Sequence, residues 1–447
     1  MALRSRKREA VDYASFEEPC HTTIHLEPRP EAYDKLRFVY VKRVFITPPE
    51  VLAMGIQSGQ KVLERMLAYP FKTFFLAVEA GFLLSFGVLL SVQVGGRFGS
   101  TVGANNLVFA AFGIPFGLTF LVIVQGSELM TANYMYTSFA VLEAFASEEK
   151  ASTSEETARS SSSSDPSSSS SKSSKRARAF KRSLKATALN WIVCWFGNFC
   201  GAVLHFTLFA WQSGLIKTVK IKGSKGLPAT SYSDPLSTLE HEQVIYFESQ
   251  DEFRAAYFDS DFCEADNYVL GNVCKILDLA LAKCTANFAT TILRGWGCNW
   301  MVCLAMWLQT TATEPISKLF MIWLPITLFV AVGLDHFVVN CWLLPGAILI
   351  GGRNLDHRIN WGNAFFFNLL PATIGSILGA WCLVGHIWFV YKEYYFIAQQ
   401  KRQTYRPVGG GGVLCGDGGS AEGNGARVNG GEEGAENGQG QGHGGSS

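Results

Sequence analysis

The 447-residue chain is short of charge. Only 17% of its residues are Asp, Glu, Lys or Arg, against about 25% in an ordinary soluble chain. A Ser-rich stretch near 150–175 and a Gly-rich tail after 407 hold much of what polarity there is, so the remainder is strongly apolar. The formal net charge of +1 excludes a generally basic nucleic-acid binder. The 11 cysteines show no zinc-type pairing, there is no Asn-x-Ser/Thr acceptor, and no metal cluster, phosphate loop or nucleophile triad can be assembled. The sequence therefore predicts no enzyme and no cofactor. No apolar run near the N-terminus fits a cleaved signal peptide, and Glu9, Asp12, Glu17 and Glu18 argue against an acid-poor transit peptide. With 48% hydrophobic and 13% aromatic residues, the chain reads as an integral membrane protein.

Six apolar stretches can be drawn, at about 71–95, 105–145, 188–212, 284–311, 316–351 and 361–391. Each exceeds the roughly 20 residues a helix needs to cross the hydrocarbon core. The second and fifth are too long for one crossing and are interrupted by Gly and Pro, so they read as hairpins or as broken helices lining a cavity. The segment between the second and third stretches is basic, from Lys150 and Arg159 to Arg182 and Lys185. The positive-inside rule puts it, and both termini, in the cytosol. The segment after the third stretch carries Asp234, Glu240, Glu242, Glu248, Asp251 and further acids, and faces out. It holds Cys263, Cys274 and Cys284, enough for one disulfide there. The expected organisation is a cytosolic segment over 1–70, a first three-span repeat over 71–212 with a disordered Ser-rich insert at about 147–180, an acidic outer loop over 213–283, a second repeat over 284–391, and a disordered tail over 392–447. Plasma membrane is the first expectation, with a plastid or other organelle envelope as the alternative.

An internal repeat supports the division. Gly126, Glu128 and Asn133 recur with the same spacings as Gly333, Asp335 and Asn340. Asn190, Gly197 and Gly201 recur as Asn368, Gly375 and Gly379. Each half has three spans, so the second half starts on the opposite side and the halves are inverted. Paired breaks at matching positions of inverted repeats point to a solute path at the midplane. The expected fold class is thus all-α, with six transmembrane helices as two inverted three-helix repeats, aquaporin-like, broken in the second and fifth helices.

His336 is the most informative residue, because an ionisable group in the middle of an apolar span is costly and marks function by default. Thr131 occupies nearly the corresponding place in the first half, with a hydroxyl able to donate or accept at unwound backbone. Leu129, Met130 and Phe329 are candidates for apolar constrictions. Asn299, Asn368 and Asn340 are polar groups within spans that can hold broken backbone or solute. Glu128 and Asp335 are expected to brace the breaks or pair with basic residues near the membrane face.

Several runs together resemble the formate/nitrite transporter family. They are Pro49-Glu50 before Gly55 and Lys61, Pro115-Phe116-Gly117-Leu118 leading to Glu128-Leu129-Met130-Thr131-Ala132-Asn133, Asn299 through Trp307, Gly333-Leu334-Asp335-His336 with Asn340, and Asn368 through Gly375. The resemblance implies a homopentamer of aquaporin-like protomers, each with its own pore for a small monovalent anion or its conjugate acid. It places the family's central histidine on His336, its pore-loop threonine on Thr131 and its outer constriction on Phe329. Three departures bear on substrate choice: Met130 and Ala132 where the family has Phe and Gly, Asp335 where it has Glu, and Ser376 where Asn follows Gly375. The expected partners are nitrite or formate and a proton, in a lipid bilayer and without nucleic acid. Bicarbonate or lactate in the same pore is an alternative, and a non-conducting membrane sensor is another of a different class.

Overall fold

The computed structural model describes residues 45–95, 110–124, 126–161, 166–221, 244–258 and 268–404. The N-terminal 44 residues, the tail from 405, Cys263 and most of the acidic segment's middle lie outside the described residues. The chain divides into two units, Met1–Ala398 and Gln399–Ser447. Of the second, only the helical backbone up to Thr404 is described.

The first element, α1 (Pro48–Ala68), precedes every apolar span. Its start is written locally: Pro occupies the first helical position, where no N–H is needed. The Glu50 carboxylate accepts from the Thr47 N–H at 2.9 Å and hydroxyl at 2.8 Å, closing a capping box. One face, including Val51, Leu52, Ile56, Val62 and Met66, is buried. After a break at Tyr69 the chain enters α2 (Pro70–Gly95). Next come α3 (Ile114–Val124), α4 (Met130–Ser161) and α5 (Pro166–His205), which continues as a π-helical turn over Phe206–Gln212. The Ser-rich stretch expected to be disordered is helical in its backbone up to Ser161 and again from Pro166. Ser is only moderately unfavourable in a helix, and both ends of the stretch continue long helices.

The acidic segment is also more ordered than its composition suggests. Thr218–Ile221 (β1) pairs in parallel with Val244–Phe247 (β2), Thr218 opposite Val244, so the fold is not purely helical. The β-branched residues Thr218, Val219, Ile221, Val244 and Ile245 and the aromatic Tyr246 and Phe247 suit this short pair. It is pinned to the helices by Val219 N–H to Ile350 O at 2.8 Å and by Asn354 Nδ2 to Val219 O at 3.1 Å. Then come α6 (Gln250–Phe258) and α7 (Tyr268–Cys284), which turns by 116° into α8 (Phe288–Thr311). Asn287 caps α8 by accepting from the Ala289 and Thr290 N–H groups. Cys274 on α7 is disulfide-bonded, while Cys284 is free and buried.

The last elements are α9 (Pro315–Ala331), α10 (Phe337–Leu349), the short α11 (Gly352–Leu355) and α12 (Leu370–Thr404), preceded by a π-helical turn over Ala364–Leu369. Among the described residues three helices are long and apolar enough to cross a membrane, Pro70–Gly95, Arg178–Gln212 and Trp361–Ala398, or four if the bent α7–α8 pair is one span. The shorter apolar helices are α3, α9 and α10. Helices in lipid satisfy their own backbone groups, so what brings them together is close packing through small residues. A Cβ on Gly201 of α5 would lie 2.0 Å from Val78 O of α2, and one on Gly379 of α12 would lie 2.3 Å from Trp296 O of α8. Corresponding glycines thus seat corresponding helices, α5 on α2 and α12 on α8.

Candidate functional site

Two interruptions face each other. Between α3 and α4 the chain turns at Gly126 (φ +90°), and between α9 and α10 it turns at Gly333 (φ +76°), a left-handed conformation suited to glycine. Helices α4 and α10 therefore both begin inside the protein, and their first residues carry the site.

His336 is the N-cap of α10. Its Nδ1 accepts the Val339 N–H at 3.2 Å, which assigns the proton of the neutral ring to Nε2. Nε2 lies 3.4 Å from Thr131 Oγ1, in the first turn of α4. Phe329 stacks on the imidazole, with ring centroids 5.7 Å apart and planes inclined by 20°. All three residues are buried. Asn299 of α8 donates Nδ2 to Thr131 O at 3.3 Å and to Ser376 O at 2.6 Å. The structure thus brings His336, Thr131, Phe329 and Asn299 together. Thr131 and His336 touch, which leaves no open passage between them.

The buried acids sit one step from this contact. Asp335, 1% exposed, is bound by Lys283 Nζ from the end of α7. It also accepts from Asn340 Nδ2 and Asn368 Nδ2, each at 3.2 Å, and Asn340 donates to Asn368 Oδ1 at 2.6 Å. Glu128, also 1% exposed, pairs with Arg65 Nη2 at 2.9 Å and accepts from Asn133 Nδ2, which in turn donates to Asn190 Oδ1 at 3.2 Å. The two clusters are the same device built twice: an acid after the turning glycine, an asparagine one helical turn on, an asparagine from the next span, and a cation from the helix that opens the half. A buried carboxylate needs such pairing. The Asn340 and Asn368 side chains accordingly brace Asp335 and make no hydrogen bond to the His336 ring; the Asn340 N–H donates to the His336 carbonyl at 3.0 Å as the first backbone bond of α10.

Leu129 lines a cavity of about 660 Å³ on the α1 side of the site, together with Leu118, Glu128, Tyr136, Trp307 and Lys318. Met130 is fully buried, and its N–H donates to Asn198 Oδ1 at 2.9 Å. Arg65, Lys283, Asn198 and Ser376 are not among the sequence candidates. The two cations are assigned by the helices they end, α1 and α7, which lie outside the apolar stretches. Asn198 was findable, since it follows Gly197 as Ser376 follows Gly375.

Buried apolar helices, interrupted at two glycines and closed around a histidine, define an integral membrane protein. A family model for the formate/nitrite transporter matches residues 49–152 and 258–390, together more than half of the sequence. The chain belongs to the formate/nitrite transporter family. It is 29% identical over 336 residues to a probable formate transporter of Methanothermobacter thermautotrophicus, covering 72% of this chain and 89% of that one. It is 24% identical to the formate channel FocA of Escherichia coli (strain K12), covering 76% and 93%. Among solved structures, an ion channel of the same family aligns with a TM-score of 0.50 at 19% identity, covering 78% of this chain and 98% of that one. That likeness bears on the fold alone, and supports it.

Proposed function

We propose that the protein is a transmembrane conduit for a small monovalent anion of the formate or nitrite class, which passes His336 as its conjugate acid. The observation that carries this reading is the meeting of His336 Nε2 and Thr131 Oγ1, 3.4 Å apart, at the start of two helices that begin inside the protein. Names of relatives, a probable formate transporter and a formate channel, support the cargo class.

The energetics favour the acid. Taking a bare carboxylate-sized ion into low dielectric costs on the order of 20 kcal/mol in the Born limit. Protonating a carboxylate of pKa ~3.9 at about pH 7 costs about 4 kcal/mol, at about 1.36 kcal/mol per unit. The capped Nδ1 adds a constraint on the histidine. A doubly protonated ring could no longer accept the Val339 N–H, so the resting ring is a neutral donor. It holds the solute's oxygen through Nε2–H, opposite the Thr131 hydroxyl, while the proton enters with the anion from the cavity. The acid–cation clusters brace the two breaks, and Phe329 closes the path beyond the histidine.

This reading uses six crossings in two inverted halves, with α3–α4 and α9–α10 as broken spans and both termini in the cytosol. The cavity beside α1 is then the cytosolic entrance. Assembly as a homopentamer follows the family resemblance, with the plasma membrane as the site. The experiment is uptake of nitrite, formate, bicarbonate and lactate by proteoliposomes at about pH 5.5 and about pH 7.5, with a His336→Phe control. Saturable uptake that rises at acid pH and is lost in the variant supports the proposal. Folded, pentameric protein that moves none of them, and binds one, points to the sensor reading and refutes transport.

A further inference from the structure

The two breaks are not held equally. In the first, Asn198 of α5 makes three hydrogen bonds: Nδ2 donates to Ala77 O at 2.8 Å and Glu128 O at 2.9 Å, and Oδ1 accepts the Met130 N–H at 2.9 Å. The Glu128 N–H reaches Leu76 O on α2 at 3.1 Å. Asn299 Nδ2 and the Cys303 thiol both donate to Thr131 O. Backbone on both sides of Leu129 is thus tied to α2, α5 and α8.

The spacing that pairs Asn190 with Asn368 pairs Asn198 with Ser376, and the contacts agree, since the carbonyls of both face corresponding helices: a Cβ on Gly81 would meet Asn198 O at 2.2 Å, and Asn299 Nδ2 donates to Ser376 O. Ser376 is too short to do what Asn198 does. Its hydroxyl donates to Ala372 O in its own helix at 2.8 Å. No hydrogen bond among the described residues ties the Asp335 N–H, the Asp335 carbonyl or the Phe337 N–H to another element. The second break is held by the Asp335 side chain and by the bond from Val339 to His336 Nδ1. Its backbone bonds among the described residues run only to its own flanking helices, Gly333 N–H to Val330 O at 3.1 Å, Leu334 N–H to Phe329 O at 3.0 Å and Asn340 N–H to His336 O at 3.0 Å.

We propose that Ser376 is a positioning residue, and that by leaving the His336 backbone unclamped it makes the 333–337 segment the one that moves to open the Thr131–His336 contact, while the 126–131 segment stays fixed. The contact must part for any solute to pass, and the backbone with fewer buried hydrogen bonds opens at lower cost. The cavity touches Gly126, Ser127, Glu128 and Leu129, so access to water alone would favour exchange at the first break. Faster exchange at the second therefore reports opening.

The inference rests on the conduit reading, but its test does not need a known cargo. Amide hydrogen exchange is followed by mass spectrometry on the full chain in lipid nanodiscs. In the wild type, amides 335–338 are expected to exchange faster than 128–131. Ser376→Asn is expected to slow 335–338 about tenfold, the worth of one net buried hydrogen bond, and to leave 128–131 unchanged. Ser376→Ala, which removes only the hydroxyl, should exchange as the wild type does. In uptake, Ser376→Asn should lower the maximal rate at unchanged half-saturation. Equal or slower exchange at 335–338 in the wild type, or no slowing in Ser376→Asn, overturns the proposal. If Ser376→Asn does not fold, Asn198→Ser tests the same rule from the other half. It should raise exchange at 128–131 about tenfold, and no rise there refutes the clamp. Failure of every anion to move would sink the conduit reading and leave the exchange result standing.

Discussion

Replacing Lys283 with Met removes one partner of a buried ion pair and leaves the other in place. Asp335 is 1% exposed and Lys283 15%, so water can reach the vacated carboxylate only through the side the lysine leaves. Breaking a buried pair from one side costs about 3–5 kcal/mol. The amides of Asn340 and Asn368, each 3.2 Å from Oδ1, keep part of the stabilisation, so the lower end, about 3 kcal/mol, is expected. At about 1–2 °C per kcal/mol for a chain of this size, the thermal midpoint should fall by about 3–6 °C. Adding Asp335→Asn removes the stranded charge and keeps an oxygen for the two asparagines. The double variant should therefore recover to within about 1 kcal/mol of the wild type, because replacing both members of a buried pair is often nearly neutral. The assay is thermal unfolding of the purified protein by tryptophan fluorescence, at low and high salt. Since the pair is shielded, the loss should hardly depend on ionic strength. A single variant that loses less than about 1 kcal/mol, as an exposed pair would, refutes the reasoning. So does a double variant as unstable as the single one.

In the first half, Arg65→Met should cost less than Lys283→Met in the same assay, because Arg65 is 26% exposed and water can take its place beside Glu128. Gly201→Ala and Gly379→Ala place a Cβ 2.0 and 2.3 Å from backbone oxygens, which cannot rotate away, so both should abolish the folded peak in size-exclusion chromatography. Gly385→Ala meets nothing within 4 Å and should elute as the wild type. Uptake of a weak acid should rise about tenfold per unit as external pH falls, because above its pKa the acid fraction grows by that factor. The sign follows from cargo protonation, and a rate independent of pH would show that the bare anion passes.

The spans and the site were legible to different depths. Apolar runs announced α2, α5, α8 and α12 because a helix in lipid must be apolar over its whole length. His336 and Thr131 were readable because a titratable or hydroxyl group within such a run is costly. Their contact was not, since the repeat put Leu129 rather than Thr131 at the position of His336. The same limit applies to Asn340 and Asn368, which read equally well as solute ligands or as braces. Only the geometry shows them on Asp335. The acidic segment misled by composition, because its β1–β2 pair and α7 are short, half-polar elements that depend on docking against α10 and α2.

Arg65 and Lys283 show where a hydropathy reading stops short. Each lies at the end of a helix, α1 or α7, whose exposed face is polar and which therefore sits outside every apolar window. Yet Glu128 and Asp335 cannot be buried as carboxylates without them. The acid in each break thus sets a requirement that the apolar stretches do not meet, and in both cases a helix just before a long apolar one meets it. In the first case that helix is α1, which begins at Pro48 and is followed by the break at Tyr69 and then α2. In the second it is α7, which begins at Tyr268 and turns by 116° into α8. Charge neutralisation ties α1 and α7 to the buried site, where a hydropathy reading leaves both helices outside the spans.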